Sequence, residues 1–105
     1  MTPAEFFANK DAQIKENPDA LGVSATYQFN LSGDDGGDWV IKLGGDDSGV
    51  TEGNDESAQC VISMKSKDFL GMIDGSLNPQ MAFMTGKLRV KGDMGLALKL
   101  QNILS

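Results

Sequence analysis

Between residues 23 and 32 the chain alternates without interruption. Val23, Ala25, Tyr27, Phe29 and Leu31 are apolar, and Ser24, Thr26, Gln28, Asn30 and Ser32 are polar. Only an extended strand sends every second side chain to one side, so this segment predicts a strand with one buried and one wet face. A Gly/Asp turn at 33–38 follows, and Trp39, Ile41 and Leu43 repeat the period. The chain turns again at 44–47, and a short strand around Val50 and Thr51 ends at Gly53-Asn54-Asp55. Ala58, Cys60, Ile62 and Met64 then alternate with Gln59, Val61, Ser63 and Lys65. Strands joined by short turns of this chemistry predict an antiparallel meander.

Helical signals flank the strands. Thr2-Pro3-Ala4-Glu5 supplies a capping hydroxyl, a proline at the first helical position and a carboxylate three residues after the cap. Phe6, Phe7 and Ile14 share one face of that helix, Lys10, Asp11, Gln13, Lys15 and Glu16 look to water, and Asn17-Pro18 stops it. Ser66 is read as the cap of a helix carrying Phe69, Leu70 and Ile73 up to Gly75. Asn78-Pro79 opens another, with Ala82, Phe83 and Met84 before Gly86. Leu88 and Val90 form a last strand, about two dozen residues after the fourth. That spacing admits a crossover and a parallel pairing. Asp93 caps a final helix from Met94 to Leu104.

At 105 residues the chain has room for one domain, residues 1–105, with one sheet and a helical layer. Hydrophobic residues at 40% and charged residues at 23% place it in the globular class. Nine basic and fifteen acidic side chains give a net charge of −6, which repels a phosphate backbone, so no nucleic-acid partner is expected. There is no His and one Cys. This removes the usual proton shuttle at neutral pH, the Ser-His and Cys-His pairs, an intrachain disulfide and a structural zinc site. Asp34, Asp35, Asp38, Asp46 and Asp47 are turn residues whose spacing does not match a calcium loop. Cys60 falls on the inward face of its strand, as an inert thiol. No enzyme, cofactor or metal is expected. Nor is a membrane span or a signal peptide.

The final helix carries Met94, Leu96, Ala97, Leu98, Leu100, Ile103 and Leu104 against only three polar positions. Apolar nearly all round, it needs cover on more than one side. A partner chain, a membrane, an apolar ligand or neighbouring helices would each supply it. Apart from Met1, every methionine lies in the second half, beside Phe69 and Phe83. Thioethers suit a cavity that remoulds around varied apolar shapes, and they equally fill irregular cores.

The second half resembles the sterol carrier protein 2 family of lipid-transfer domains. The resemblance is carried by Cys60-Val-Ile-Ser-Met64, Asp68-Phe-Leu70, Gly75-Ser-Leu-Asn-Pro-Gln80, Ala82-Phe-Met84, Gly86-Lys-Leu88 and Gly92-Asp-Met-Gly-Leu-Ala-Leu-Lys-Leu-Gln101. Upstream, Phe29 and the strand at Trp39 fit more loosely. The resemblance implies an α+β fold: a five-stranded, mostly antiparallel sheet covered on one face by helices, with a hydrophobic tunnel between. It also implies low-selectivity binding and transfer of fatty acids, fatty acyl-CoA, sterols and phospholipids, without covalent chemistry.

On that resemblance, Trp39, Phe69, Phe83, Met84, Leu88, Met94, Leu98 and Leu104 are expected as tunnel walls. Gln80 and Gln101 are expected to meet a hydroxyl or headgroup. Lys87, Arg89, Lys91 and Lys99 form a basic cluster in an acidic chain, suited to steering acyl-CoA phosphates, to transient contact with anionic lipid surfaces or to guarding an edge strand. A monomer is expected. The alternative is an interaction module that docks through its apolar C-terminal helix. Peroxisomal members end in a tripeptide of the Ser-Lys-Leu type, whereas this sequence ends Ile103-Leu104-Ser105, so a cytoplasmic setting is expected.

Overall fold

A computed structural model describes residues 2–17, 22–45 and 47–104, with the side chains of Gln101 and Asn102 excepted. Pro18, Asp46 and the Gln101 side chain, all singled out in the sequence, lie outside the described residues. The element order is α1 (Pro3–Glu16), β1 (Ala25–Ser32), β2 (Gly37–Leu43), β3 (Gly49–Glu52), β4 (Cys60–Lys65), α2 (Ser66–Asp74), α3 (Pro79–Met84), β5 (Leu88–Gly92), α4 (Met94–Leu98) and α5 (Leu100–Leu104).

The strands form one sheet in the order β3-β2-β1-β4-β5. Three of its four pairings are antiparallel, and β1 with β4 is parallel. The fold is therefore α+β with a mostly antiparallel sheet. Two local expectations are corrected. The meander stops after β3, because β4 crosses to the far side of β1 instead of pairing with β3. The long helical connection joins antiparallel neighbours, with Ile62 opposite Val90 and Met64 opposite Leu88.

On the supposedly wet face of the sheet Gln28 and Val40 are buried, and the segment between β3 and β4 lies against Gln28 there. The Gln28 amide fits this position because it answers backbone groups at both ends. Its Oε1 accepts from the Asp55 amide at 2.7 Å, and its Nε2 donates to the Gly53 carbonyl at 3.0 Å. A buried amide is tolerated where such partners exist.

The other face carries the core. Tyr27, Phe29, Ile41, Cys60 and Ile62 point inward from the three central strands and are fully buried. Between them and the first two helices, Phe7 stacks on Trp39 at 4.7 Å and on Phe69 at 5.2 Å, while Phe6 meets Phe69 edge-on at 5.4 Å. The α1 capping box is formed as its sequence predicts, with the Thr2 hydroxyl accepting from the Glu5 amide. Lys10 departs from expectation. It is 6% exposed, its ammonium 5.4 Å from the Phe6 ring centroid and 3.3 Å from Gln13 Oε1, because a long aliphatic stem packs on apolar surface. Ser66 also departs. It is the first residue of α2 and not its cap, and its hydroxyl donates to the Asp34 carbonyl, tying the β1–β2 turn to the helix.

The expected single C-terminal helix is two short ones. The turn breaks at Lys99, whose amide donates back to the Leu96 carbonyl at 3.1 Å. Burial explains the break. In α5, Leu100, Ile103 and Leu104 are buried in the core, while α4 contains no fully buried residue. A straight helix could not satisfy both ends, so tertiary packing overrides local propensity.

Candidate functional site

The helical layer is full beneath α1 and α2 and open beyond them. Between α3, β5 and α4 lies a cleft of about 430 Å³, walled by Phe83, Met84, Met94 and Leu98, floored by Ile62, Leu88 and Val90, and touched by Gln80 at its edge. Its volume falls in the ordinary range for small-molecule sites. The apolar space between sheet and helices is this cleft, beside the closed aromatic cluster of Phe7, Trp39 and Phe69.

Each wall has a local cause. Asn78 accepts from the Gln80 amide at 2.8 Å and caps α3, with Pro79 supplying a fixed φ at its first position. Ala82 is fully buried and anchors this short helix, leaving Met81, Phe83 and Met84 exposed. At the opposite wall, Gly92 ends β5 with φ 101°, where a Cβ would collide with the Gln59 carbonyl oxygen. The close approach lets the Asp93 amide donate to that carbonyl at 2.9 Å. The Asp93 carboxylate then accepts from the Leu96 amide at 3.2 Å and starts α4.

The rim is unusually apolar. Met84 is 78% exposed, Leu98 77%, Met81 55%, Met94 47% and Phe83 46%. Large side chains in this state, gathered on two neighbouring elements, mark an interaction surface more than scattered ones do. The described lining contains no carboxylate, amine or thiol, and Gln80 is its one polar side chain. Such a cleft is suited to holding an apolar body. Among the described residues no group of three or more carboxylates or thiols is placed to hold a metal ion. Cys60 is fully buried, its thiol pushed up to about 11 by burial and then by the nearby Asp93 charge.

The ten residues expected at the site divide. Gln80, Phe83, Met84, Leu88, Met94 and Leu98 converge on the cleft. Trp39 and Phe69 do not: both belong to the closed aromatic cluster. Leu104 lies in a smaller recess of about 260 Å³ beside Met72, Ile73 and Leu77, which shares Pro79 with the main cleft, and the Gln101 side chain lies outside the described residues. Of the lining residues the expectation omitted, Val90 was legible from its alternation with Leu88, whereas Pro79 gave no signal.

Known proteins share this architecture. Residues 6–105 match the SCP-2 sterol transfer family. The hydroxysteroid dehydrogenase-like protein 2 of Xenopus laevis is 53% identical over 79 residues, which are 74% of this chain and 19% of that protein. This chain therefore spans about a fifth of such relatives. The solution structure of sterol carrier protein domain 2 of Helicoverpa armigera has a TM-score of 0.75 at 28% identity, covering 95% of this chain and 83% of that one. Sterol carrier protein 2 of Aedes aegypti, solved with palmitate, has a TM-score of 0.75 at 22% identity, covering 96% and 92% of the two chains. With its sheet order, helical layer and nearly its whole length accounted for, the chain belongs to the SCP-2 sterol transfer family.

Proposed function

We propose that this protein binds lipids noncovalently, holding an acyl chain or sterol skeleton in the cleft between α3, β5 and α4 and carrying it between membranes. The observation that carries the reading is the combination of an apolar cleft with exposed Phe83, Met84, Met94 and Leu98 at its rim. Palmitate bound to the Aedes aegypti relative of the same fold supports it. Fatty acids, fatty acyl-CoA, sterols and phospholipids all offer the required apolar body. Gln80 is the group that meets a hydroxyl or headgroup.

Burial of a methylene contributes roughly 0.8 kcal/mol, so a sixteen-carbon chain gains about 12 kcal/mol gross, less substantial ordering and association costs. This attraction has no direction, and a cleft built from Met, Leu and Phe adapts to different shapes. Broad ligand tolerance follows. No catalysis by these residues is part of the proposal. In relatives such as the Xenopus laevis protein the matched region is a fraction of a longer chain, which favours the additional reading of a lipid-holding module joined to other machinery.

Native mass spectrometry of freshly purified protein, with fluorescent fatty-acid titration of delipidated protein, tests the proposal. Expected are adducts of lipid mass and saturable binding at micromolar concentration. A preparation that carries no lipid and takes up no probe overturns it. Concentration-dependent oligomers that cover the rim would favour the interaction-module alternative instead.

A further inference from the structure

We propose that Met84 and Met94 are modification sites that switch the cleft off: hydroperoxides oxidise both thioethers to sulfoxides, and the cleft then releases its apolar ligand. The inference rests on the lipid-carrier reading and adds a chemical control to it.

Exposure sorts the oxidisable side chains of this protein. It has one Trp, one Tyr, one Cys and no His. Trp39, Tyr27 and Cys60 are all buried, and burial raises the Cys60 thiol, so little thiolate is available to meet a peroxide. Met64 and Met72 are buried as well. Among the described residues this leaves Met81, Met84 and Met94 as the exposed side chains that a peroxide oxidises readily. Met84 and Met94 line the cleft, one from α3 and one from α4, whereas Met81 stands outside the lining. The accessible sulfur is therefore gathered at the mouth of one cleft. Apolar contact does not by itself call for sulfur, since Phe83 and Leu98 supply it on the same rim.

The reaction needs no group beyond the thioether and the hydroperoxide. A sulfur lone pair attacks the terminal peroxide oxygen, so an S–O bond forms as the O–O bond breaks. The sulfur is oxidised, and the peroxide is reduced to its alcohol, or to water if it is hydrogen peroxide. The proton of the transferred hydroxyl passes to the leaving oxygen. An unsaturated acyl chain that has become a hydroperoxide would bring the oxidant to the two lining thioethers itself.

The product changes what the cleft can hold. A sulfoxide is polar and accepts hydrogen bonds, and Gln80 is the one polar side chain in the described lining. An acyl chain laid against two sulfoxides strips their water without replacing those bonds, which weakens its binding about tenfold or more.

For the test, delipidated intact protein is treated with hydrogen peroxide or with linoleic acid hydroperoxide, freed of oxidant, and titrated with a fluorescent fatty acid. Peptide mass spectrometry is expected to find an added oxygen on Met84 and on Met94, with Met64 and Met72 unchanged because the fold stays closed over them. Affinity falls about tenfold or more and returns after treatment with methionine sulfoxide reductases and dithiothreitol. The Met84→Leu/Met94→Leu variant is compared with itself, and its affinity is the same before and after peroxide. Met81→Leu retains the fall. Oxidation of Met84 and Met94 ahead of Met81 by linoleic acid hydroperoxide alone identifies the carried lipid as the oxidant, and the same order with both reagents identifies soluble peroxide. Affinity unmoved by complete oxidation of Met84 and Met94, or a fall that persists in the double variant, overturns the switch. Unoxidised protein that binds no fatty acid overturns the carrier reading and the switch together.

Discussion

The phenolic oxygen of Tyr27 donates a 2.7 Å hydrogen bond to the carbonyl oxygen of Leu96, linking β1 to the helix that forms one wall of the cleft. Tyr27 is wholly buried, while Leu96 and Ala97 of α4 are only partly covered. With no fully buried residue of its own, α4 depends on this bond and on the Asp93 cap for its place against the sheet. Burial, followed by the charges of Cys60 and Asp93, pushes the Tyr27 hydroxyl well above its ordinary range, so it remains a donor throughout neutral conditions.

Tyr27→Phe removes the bond and keeps the ring. The expected loss is about 1 kcal/mol in denaturant unfolding, with faster hydrogen exchange at the amides of α4 than in β1 or β4. Unchanged exchange in α4 would show that the helix is held by other contacts. At high pH the sign is fixed by the raised values of both buried acids. The native state keeps protons that the unfolded chain releases, so stability is whole below the ordinary pKa of each group. It then falls as pH rises, beginning near the ordinary thiol value of 9.0 and, for Cys60, continuing to about 11. Tyr27→Phe flattens the steeper alkaline part of this profile.

The cleft and the aromatic cluster separate binding from stability. Phe83 is half-exposed, so Phe83→Asp costs little folding free energy, yet it sets a carboxylate where an acyl chain would lie. Fatty-acid affinity falls about tenfold or more, read by fluorescence titration beside an unfolding curve. Phe69→Ala does the opposite, destabilising by roughly 3–5 kcal/mol through the cavity left among Phe6, Phe7 and Phe29. Equal damage to both properties by Phe83→Asp would remove the cleft from consideration.

Asp11 holds α1 against the sheet edge. Its Oδ1 accepts from the Val50 amide at 2.7 Å and its Oδ2 pairs with Lys15 at 3.1 Å. The Val50 bond first, and the Lys15 ammonium after it, hold the carboxyl below the usual carboxylate range. Its contribution is therefore present above the ordinary value of 3.8 and is lost as pH falls through the lower native value. Asp11→Ala costs about 1–2 kcal/mol at neutral pH, and the difference from the unaltered protein shrinks in acid. A constant difference across an acid titration would contradict this assignment.

Cys60 has no exposure and a raised pKa, so the thiolate needed for attack is scarce in the native state. Iodoacetamide at mildly alkaline pH should leave the folded protein unlabelled and modify it once in denaturant, counted by intact mass. Rapid labelling of folded protein would place the thiol at an accessible surface.

Local sequence determined most of the elements. The alternation at Tyr27, Phe29 and Leu31 fixed a strand and its buried face, and Thr2-Pro3-Ala4-Glu5 and Asn78-Pro79 fixed helix starts, because side-chain period and capping act within a few residues. Six of the expected site residues are also neighbours around one cleft, since strand alternation and helical spacing each place side chains on a common face. Tertiary structure alone decided the rest. The parallel pairing of β1 with β4 depends on where the 53–59 segment lies and on a buried Gln28 that answers its backbone. The break at Lys99 depends on α5 turning its leucines and isoleucine into the core while α4 stays at the rim. Trp39 and Phe69 read as apolar whether they fill a core or wall a cleft. Only the stacking of Phe7 between them closes that space. Periodicity records which side of an element is apolar; what meets that side is set by chain segments far away in sequence, through packing that no local pattern encodes.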